Sequence, residues 1–226
     1  MLKNNLINLN VHSYYSLLSS SLSIDKIISF AISNNQEYVC MVDKNVMYGA
    51  FEFYKKAKEK NLKPIIGLQI NYKNSEIVLL AKNNDGYHQL IKISSNIMQE
   101  IDYELEEFLN DNLFIVKLNG EFDYNSNNFY INGGEENNSL ACHEVYYYDE
   151  NDFITFKVLQ AIKNEEKLFK FNIHEKSFEN CFWLPNQIQS FYSNIAVQNL
   201  QKIVTNCNWE MNFNKENNIL KYQNSF

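Results

Sequence analysis

Residues 38–70, YVCMVDKNVMYGAFEFYKKAKEKNLKPIIGLQI, decide the fold. They open on a short apolar run, Tyr38 to Val42, of strand length and composition. Tyr48 to Lys60 follows with helical spacing, placing Phe51, Tyr54 and Ala57 inward and Lys55, Lys56, Lys58 and Glu59 outward. Pro64 then opens a second strand, Ile65 to Tyr72. A strand, a helix and a strand in this order form one unit of an α/β sheet with covering helices.

The same alternation extends in both directions. Upstream, Leu6 to Val11 reads as a strand, and Ser23 caps a helix with Ile24, Ile27, Ile28, Ala31 and Ile32 on one face. Downstream, Ile77 to Ala81 reads as strand and Tyr87 to Met98 as helix. Leu113 to Leu118, Asn128 to Asn132 and Ser139 to Tyr147 follow as strands, then a helix from Asp149 to Lys163. Right-handed crossovers curl such a mostly parallel sheet toward a barrel or an open α/β sheet. After Lys163 the pattern changes: residues 165–179 are charged and irregular, Gln187 to Asn206 is helical, and residues 215–226 show no period.

Composition narrows the function. All 20 basic residues are Lys, set against 27 acidic ones for a net charge of -7. Arg is the preferred fork for phosphates and guanine edges, so a module that binds duplex DNA by itself is disfavoured. About one residue in six is Asn, a bias that fits an AT-rich genome and lowers the weight of any single Asn. No apolar run approaches the ~20 residues that cross a bilayer, and the N-terminus lacks a signal-peptide core. Cys40, Cys142, Cys181 and Cys207 are widely spaced and read as reduced, buried thiols, which together point to the cytoplasm. With six Gly, the chain has no glycine-rich phosphate loop, and it has no H-E-x-x-H, G-x-S-x-G or zinc-knuckle spacing.

Several blocks taken in series resemble a known family. NLNVHSYYSLLSSSLSIDKII, the 38–70 stretch, VLLAKNNDGYHQLIKISS, LACHEVYYYDENDFITFKVLQAI and CFWLPNQIQSFYSNIAVQNLQKIVTNCNWEM look like successive segments of the N-terminal PHP (polymerase and histidinol phosphatase) domain of the bacterial replicative DNA polymerase III alpha subunit. The resemblance implies an α/β fold, a distorted (β/α)7-type PHP barrel with a small, mainly helical C-terminal extension. It assigns residues 1–165 to the barrel core. Residues 166–226 become the rest of the PHP region and an extension toward the polymerase portion. It also implies a site of two or three cations at the carboxyl ends of the strands, where clustered His, Asp and Glu activate water for phosphoester hydrolysis.

At the positions that match those ligands, the residue types have changed. The family's opening His-x-His is Asn10-Val11-His12, and its next acid is Ser19. Its Asp-His is Asp43-Lys44, the Glu of its Gly-x-Glu is Gln69, and a later His falls at Glu76. Its late Asp-x-His is Glu144-Val145-Tyr146. Amides offer a metal only a neutral carbonyl oxygen, whereas zinc and similar ions prefer imidazole, thiolate and carboxylate. An ammonium at Lys44 repels a divalent cation. The expectation is therefore no bound metal or cofactor in this stretch beyond weak residual binding. Lys44 is expected to take over part of the cation's role by neutralising Asp43, Glu76 or Glu144. His12 reads as a hydrogen-bonded core histidine, and Asp43 as a local ion pair with Lys44 or a strand-end cap. Glu76 and Glu144 stand between relic ligands and solvated surface acids. His143 next to Glu144 faces the opposite side of its strand, His88 lies on an exposed helix face, and His174 lies in a polar linker.

Three functions remain in view. The first is a non-catalytic scaffold and subunit-docking domain of the polymerase in DNA replication. Its partners would be the remaining polymerase domains and a proofreading exonuclease subunit, with DNA reached only through the parent enzyme and no membrane contact. Nucleotidyl transfer, with its magnesium ions, would then reside in other domains of the parent. The second is an active metal-dependent phosphoesterase or proofreading exonuclease. The third is a free-standing binding module on the same fold.

Overall fold

The computed structural model describes residues 5–167 and 175–211. His174 and the C-terminal stretch 215–226, both read above from sequence, lie outside the described residues. The 38–70 stretch folds as expected: β2 (Tyr38–Lys44), α2 (Ala50–Glu59) and β3 (Lys63–Tyr72), with the two strands paired in parallel from Tyr38↔Lys63 to Lys44↔Gln69. On α2, Tyr54 and Ala57 point inward as expected, but Phe51 is 57% exposed and Phe53 takes the buried position instead. Upstream lie β1 (Asn10–Val11) and α1 (Ile24–Ser33), whose N-cap Ser23 accepts a hydrogen bond from Lys26 N. Ile32, placed on the inner face by its spacing, is 45% exposed at the end of α1.

Downstream, β4 (Ser75–Ala81) returns directly from β3 through the Lys73–Asn74 turn, with both turn residues at positive φ. It therefore pairs antiparallel with β3, and again antiparallel with β5 (Leu113–Asn119) beyond α3 (Asn84–Met98). This hairpin is the departure from an all-parallel sheet. β6 (Phe129–Asn132) and β7 (Ser139–Leu140) add in parallel, giving a six-stranded order β2-β3-β4-β5-β6-β7.

The strand expected over Ser139 to Tyr147 is split. β7 pairs with β6, whereas β8 (Glu144–Val145) pairs in parallel with β1. Between them the backbone leaves the ladder, with Ala141 N donating to Ala196 O and Cys142 N to Asn132 Oδ1. The strand thereby turns the corner from one edge of the sheet to β1. β1 in turn lies against β2, where the Cys40 thiol donates to Leu9 O. The barrel among the described residues thus comprises eight strands in two sheets, the β1/β8 pair and the six-stranded sheet, against about seven strands in the family pattern. Ahead of β1, Asn8 mimics a ladder with its side chain: Nδ2 donates to Trp183 O and Oδ1 accepts from Trp183 N.

Alternation along the strands sorts the core into two clusters. Val39, Met41, Ile66, Leu68, Ile77 and Leu79 face α1, α2 and α3. Cys40, Val42, Ile65, Val78, Leu80 and Phe114 face the other way, against α6 (Asn194–Asn206) through Ala196, Leu200, Ile203 and Val204. The long helix read over Gln187 to Asn206 is two helices, α5 (Pro185–Phe191) and α6, separated where Ser193 caps α6 by accepting from Ala196 N. α4 (Phe153–Lys163) lies over the mouth of the barrel and buries fully only Ala161. Gly67 in β3 is required by close approach: a Cβ there would meet Leu79 O at 2.7 Å and Val42 Cγ2 at 2.9 Å.

Candidate functional site

Pairing brings the matching positions together at the barrel mouth. Register places Asn10 beside Glu144 and Lys44 beside Gln69. At the centre is Glu144. Its Oε1 accepts from the Tyr146 hydroxyl at 2.9 Å, from Gln69 Nε2 at 3.2 Å and, at the long limit of 3.5 Å, from Asn10 Nδ2. Asn10 Nδ2 also donates to Gln69 Oε1 at 3.0 Å. A carboxylate oxygen that already accepts from neutral donors on three strand-end positions is a poor metal ligand. Burial, then Glu144, pushes the Tyr146 phenol strongly upward, so it stays protonated and donating.

His12 differs from its expectation. It is fully buried, but neither ring nitrogen has a hydrogen-bond partner, and Asn10 Oδ1 beside it is likewise unpartnered. The ring is held instead by stacking on Tyr146, with centroids 4.5 Å apart and planes 7° from parallel. Burial, then Lys44, drives its pKa well below 6.5; the Val42 backbone and the Gln69 amide counter this only in part. The imidazole is thus held neutral, and Tyr146 also stacks with Phe156 of α4, centroids 5.5 Å apart.

Asp43 and Lys44 do not pair with each other. The buried Asp43 carboxylate turns away from Glu144 into the loop after β1. Its Oδ1 accepts from Ser13 N at 2.8 Å and Ser16 Oγ at 2.7 Å, and its Oδ2 accepts from Ser13 Oγ at 2.8 Å. Burial raises its pKa, and the serine hydrogen bonds oppose the rise. Of the two alternatives, this is a cap. The Lys44 ammonium lies 4.9 Å from the centroid of the Tyr146 ring. Burial lowers its pKa, while Glu144 and then Glu76 hold the proton on. Neutralisation therefore reaches Glu144 and Glu76 but not Asp43, and it acts at a distance rather than through an ion pair.

Glu76 sits at the rim, where Asn119 Nδ2 donates to its Oε2 at 2.6 Å. Ser19, at the position of a family acid, accepts from Lys163 Nζ at 3.2 Å. Lys163 was not singled out from the sequence. Its helical phase was the available signal: Phe156, Gln160 and Lys163 share one face of α4, and Gln160 Nε2 donates to Leu18 O in the same loop. His143 faces away from the site as its strand position requires, with Nε2 2.8 Å from Cys181 O and its ring stacked on Trp183 at 3.7 Å. His88 is exposed, and Cys40 and Cys142 are buried and unpaired.

The donor set left at the mouth does not fit a metal cluster. One imidazole, one carboxylate with a single oxygen taken up by neutral donors, a rim acid and an ammonium remain, and among the described residues no three His, Cys, Asp or Glu converge as ligands.

Comparison with known families decides the classification. The PHP domain model matches residues 8–174. The chain belongs to the PHP domain family. This PHP domain is 47% identical over 199 residues to DNA polymerase III subunit alpha of Ureaplasma parvum, covering 88% of this chain and 20% of the relative. It is 28% identical over 229 residues to DNA polymerase III subunit alpha of Staphylococcus aureus strain MRSA252, covering 92% of this chain and 21% of the relative. The chain thus spans about a fifth of the length of these curated relatives. Among solved structures, a protein assigned as a metal-dependent phosphoesterase from Bifidobacterium adolescentis aligns at 14% identity and a TM-score of 0.34, covering 39% of this chain and 32% of that one. So low a score carries no argument about chemistry. Among the described residues, no helix is long and apolar enough to cross a membrane.

Proposed function

We propose that this PHP domain serves a replicative DNA polymerase III alpha subunit as a non-catalytic scaffold. Its partners are the other polymerase domains, with residues from 166 onward leading toward them, and an exonuclease subunit is a candidate for docking. DNA is reached through the parent enzyme, in the cytoplasm, and the magnesium-dependent transfer step belongs to other domains. The similarity to the alpha subunits supports the setting. The observation that supports a non-catalytic role is the Glu144 carboxylate, whose Oε1 is occupied by Tyr146, Gln69 and Asn10 beside the Lys44 ammonium, where the resemblance puts a metal ligand. Hydrolysis there would need a metal-bound or base-activated water, and the buried His12 is packed face-on against the Tyr146 ring.

The test is hydrolysis of p-nitrophenyl phosphate and of single-stranded DNA 3′ ends by the purified chain with added manganese or zinc. No turnover above buffer is expected. Metal-dependent turnover that disappears in His12→Ala would overturn the scaffold reading.

A further inference from the structure

Two ammonium groups from different elements reach the barrel mouth. Lys44 ends β2, and Lys163 ends α4. Neither forms an ion pair within 4.0 Å among the described residues, although nine other pairs do so. Both sit where the family resemblance puts cation chemistry. Lys44 replaces a ligand histidine, and Lys163 donates to Ser19, which replaces a ligand acid. Glu144 and Glu76 attract the Lys44 ammonium, and Lys163 repels it. Together with Lys44 itself, they form a group of two positive and two negative charges.

We propose that Lys44 and Lys163 are the resident cations of this cleft, occupying the electrostatic place that metal-competent relatives give to divalent ions. Three features support the exchange. Glu144 and Glu76 would otherwise be two like charges at a partly desolvated mouth, a repulsive arrangement that a divalent ion or two ammoniums can relieve. The Lys44 ammonium is further held over the Tyr146 ring, a contact favourable to a cation and unavailable to a neutral side chain. Lys163, with Gln160, tethers α4 to the loop at residues 18–19, so the second cation also fastens the helix across the opening. Because the four charges sum to zero, the cleft has no need of a metal ion or of an anion.

The experiment is thermal melting and metal analysis of the chain and of Lys44→Met, Lys163→Met and the double variant. Each is measured in EDTA, in manganese and in inorganic phosphate. The unaltered chain should carry no stoichiometric metal and melt at one temperature in all three solutions. The double variant should melt lower by about 3–6 °C in EDTA, and manganese should restore part of the loss with about one ion bound per chain, an expectation from the two uncompensated acids. Lys44→Arg should behave like the unaltered chain. Should the double variant not fold, Lys163→Met, at an exposed helix end, gives the readout: a lower melting point that manganese raises. Stoichiometric metal on the unaltered chain, a melting point raised by phosphate, or lysine variants that ignore manganese would each overturn the proposal. Metal uptake by the unaltered chain without phosphoester turnover would sink this inference and leave the scaffold reading standing, whereas His12-dependent turnover would sink the scaffold reading.

Discussion

Two carboxylates at neighbouring strand ends, Asp43 and Glu144, are held in opposite ways. Asp43 is buried and collects its hydrogen bonds from the backbone and hydroxyls of one adjacent loop, at Ser13 and Ser16. Glu144 is half-buried and collects its own from β1, β3 and the residue after β8, all through neutral amide or phenol groups. The first network positions a loop, and every acceptor in it faces a short, well-directed donor. The second fills the space between strands with neutral amides and a phenol, and it leaves Asn10 Oδ1 without a partner. One acid is thus tied into the loop that builds the fold, while the other rests among neutral side chains between strands.

Removing each anchor sharpens the contrast. Asp43→Ala leaves Ser13 N, Ser13 Oγ and Ser16 Oγ without an acceptor in a buried loop, and should cost about 3 kcal/mol or more. Urea unfolding measures it, and a loss below about 1 kcal/mol would mean that the loop re-pairs by itself.

The histidines come next. Burial holds His143 down to about 4 and His12 well below 6.5, so each binds a proton more readily when the chain is unfolded. Their contribution is complete above pH 6.5 and is lost as pH falls toward about 4. His143 alone accounts for about 3 kcal/mol across that range. Asp43, with its raised pKa, works in the opposite sense near the acid end of the window and offsets part of the loss. The melting temperature should fall between pH 6.5 and 4, and the slope should flatten in His143→Phe. A pH-independent melting curve would contradict the neutral histidines.

The smallest effect belongs to Tyr146→Phe. Glu144 keeps its amide donors and the ring keeps its stacking on His12, so about 1 kcal/mol is expected by the same unfolding measurement. A loss comparable to that of Asp43→Ala would erase the difference between the two networks.

Much of this was legible in the residues. The strand–helix–strand unit at 38–72 follows from periodicity, and the convergence of Asn10, Lys44, Gln69, Glu144 and Tyr146 follows from their places in the family pattern. What could not be read was directional. Nothing in the pair Asp43-Lys44 says that the acid turns into the serine loop while the amine lies over Tyr146; that depends on which face of β2 meets β1. His12 looked like a residue that needs a hydrogen bond, whereas an aromatic neighbour two residues beyond Glu144 holds it by its face. Lys163 was hidden because its partner, Ser19, lies 144 positions earlier, and only the closed barrel brings them together. The Ser139 to Tyr147 run scans as one strand because its composition is uniform, while the break within it is imposed by a change of pairing partner.

That break has a consequence for how such a domain could change. The ring of strands is sealed between β1 and β8 by two residue pairs, and one of them is Asn10 with Glu144. The backbone pairing and the side-chain network around Glu144 thus meet at the same two residues. Histidine at position 10 would replace the amide that donates to both Gln69 and Glu144, so a change of chemistry there is also a change in the side-chain contacts that flank this pairing.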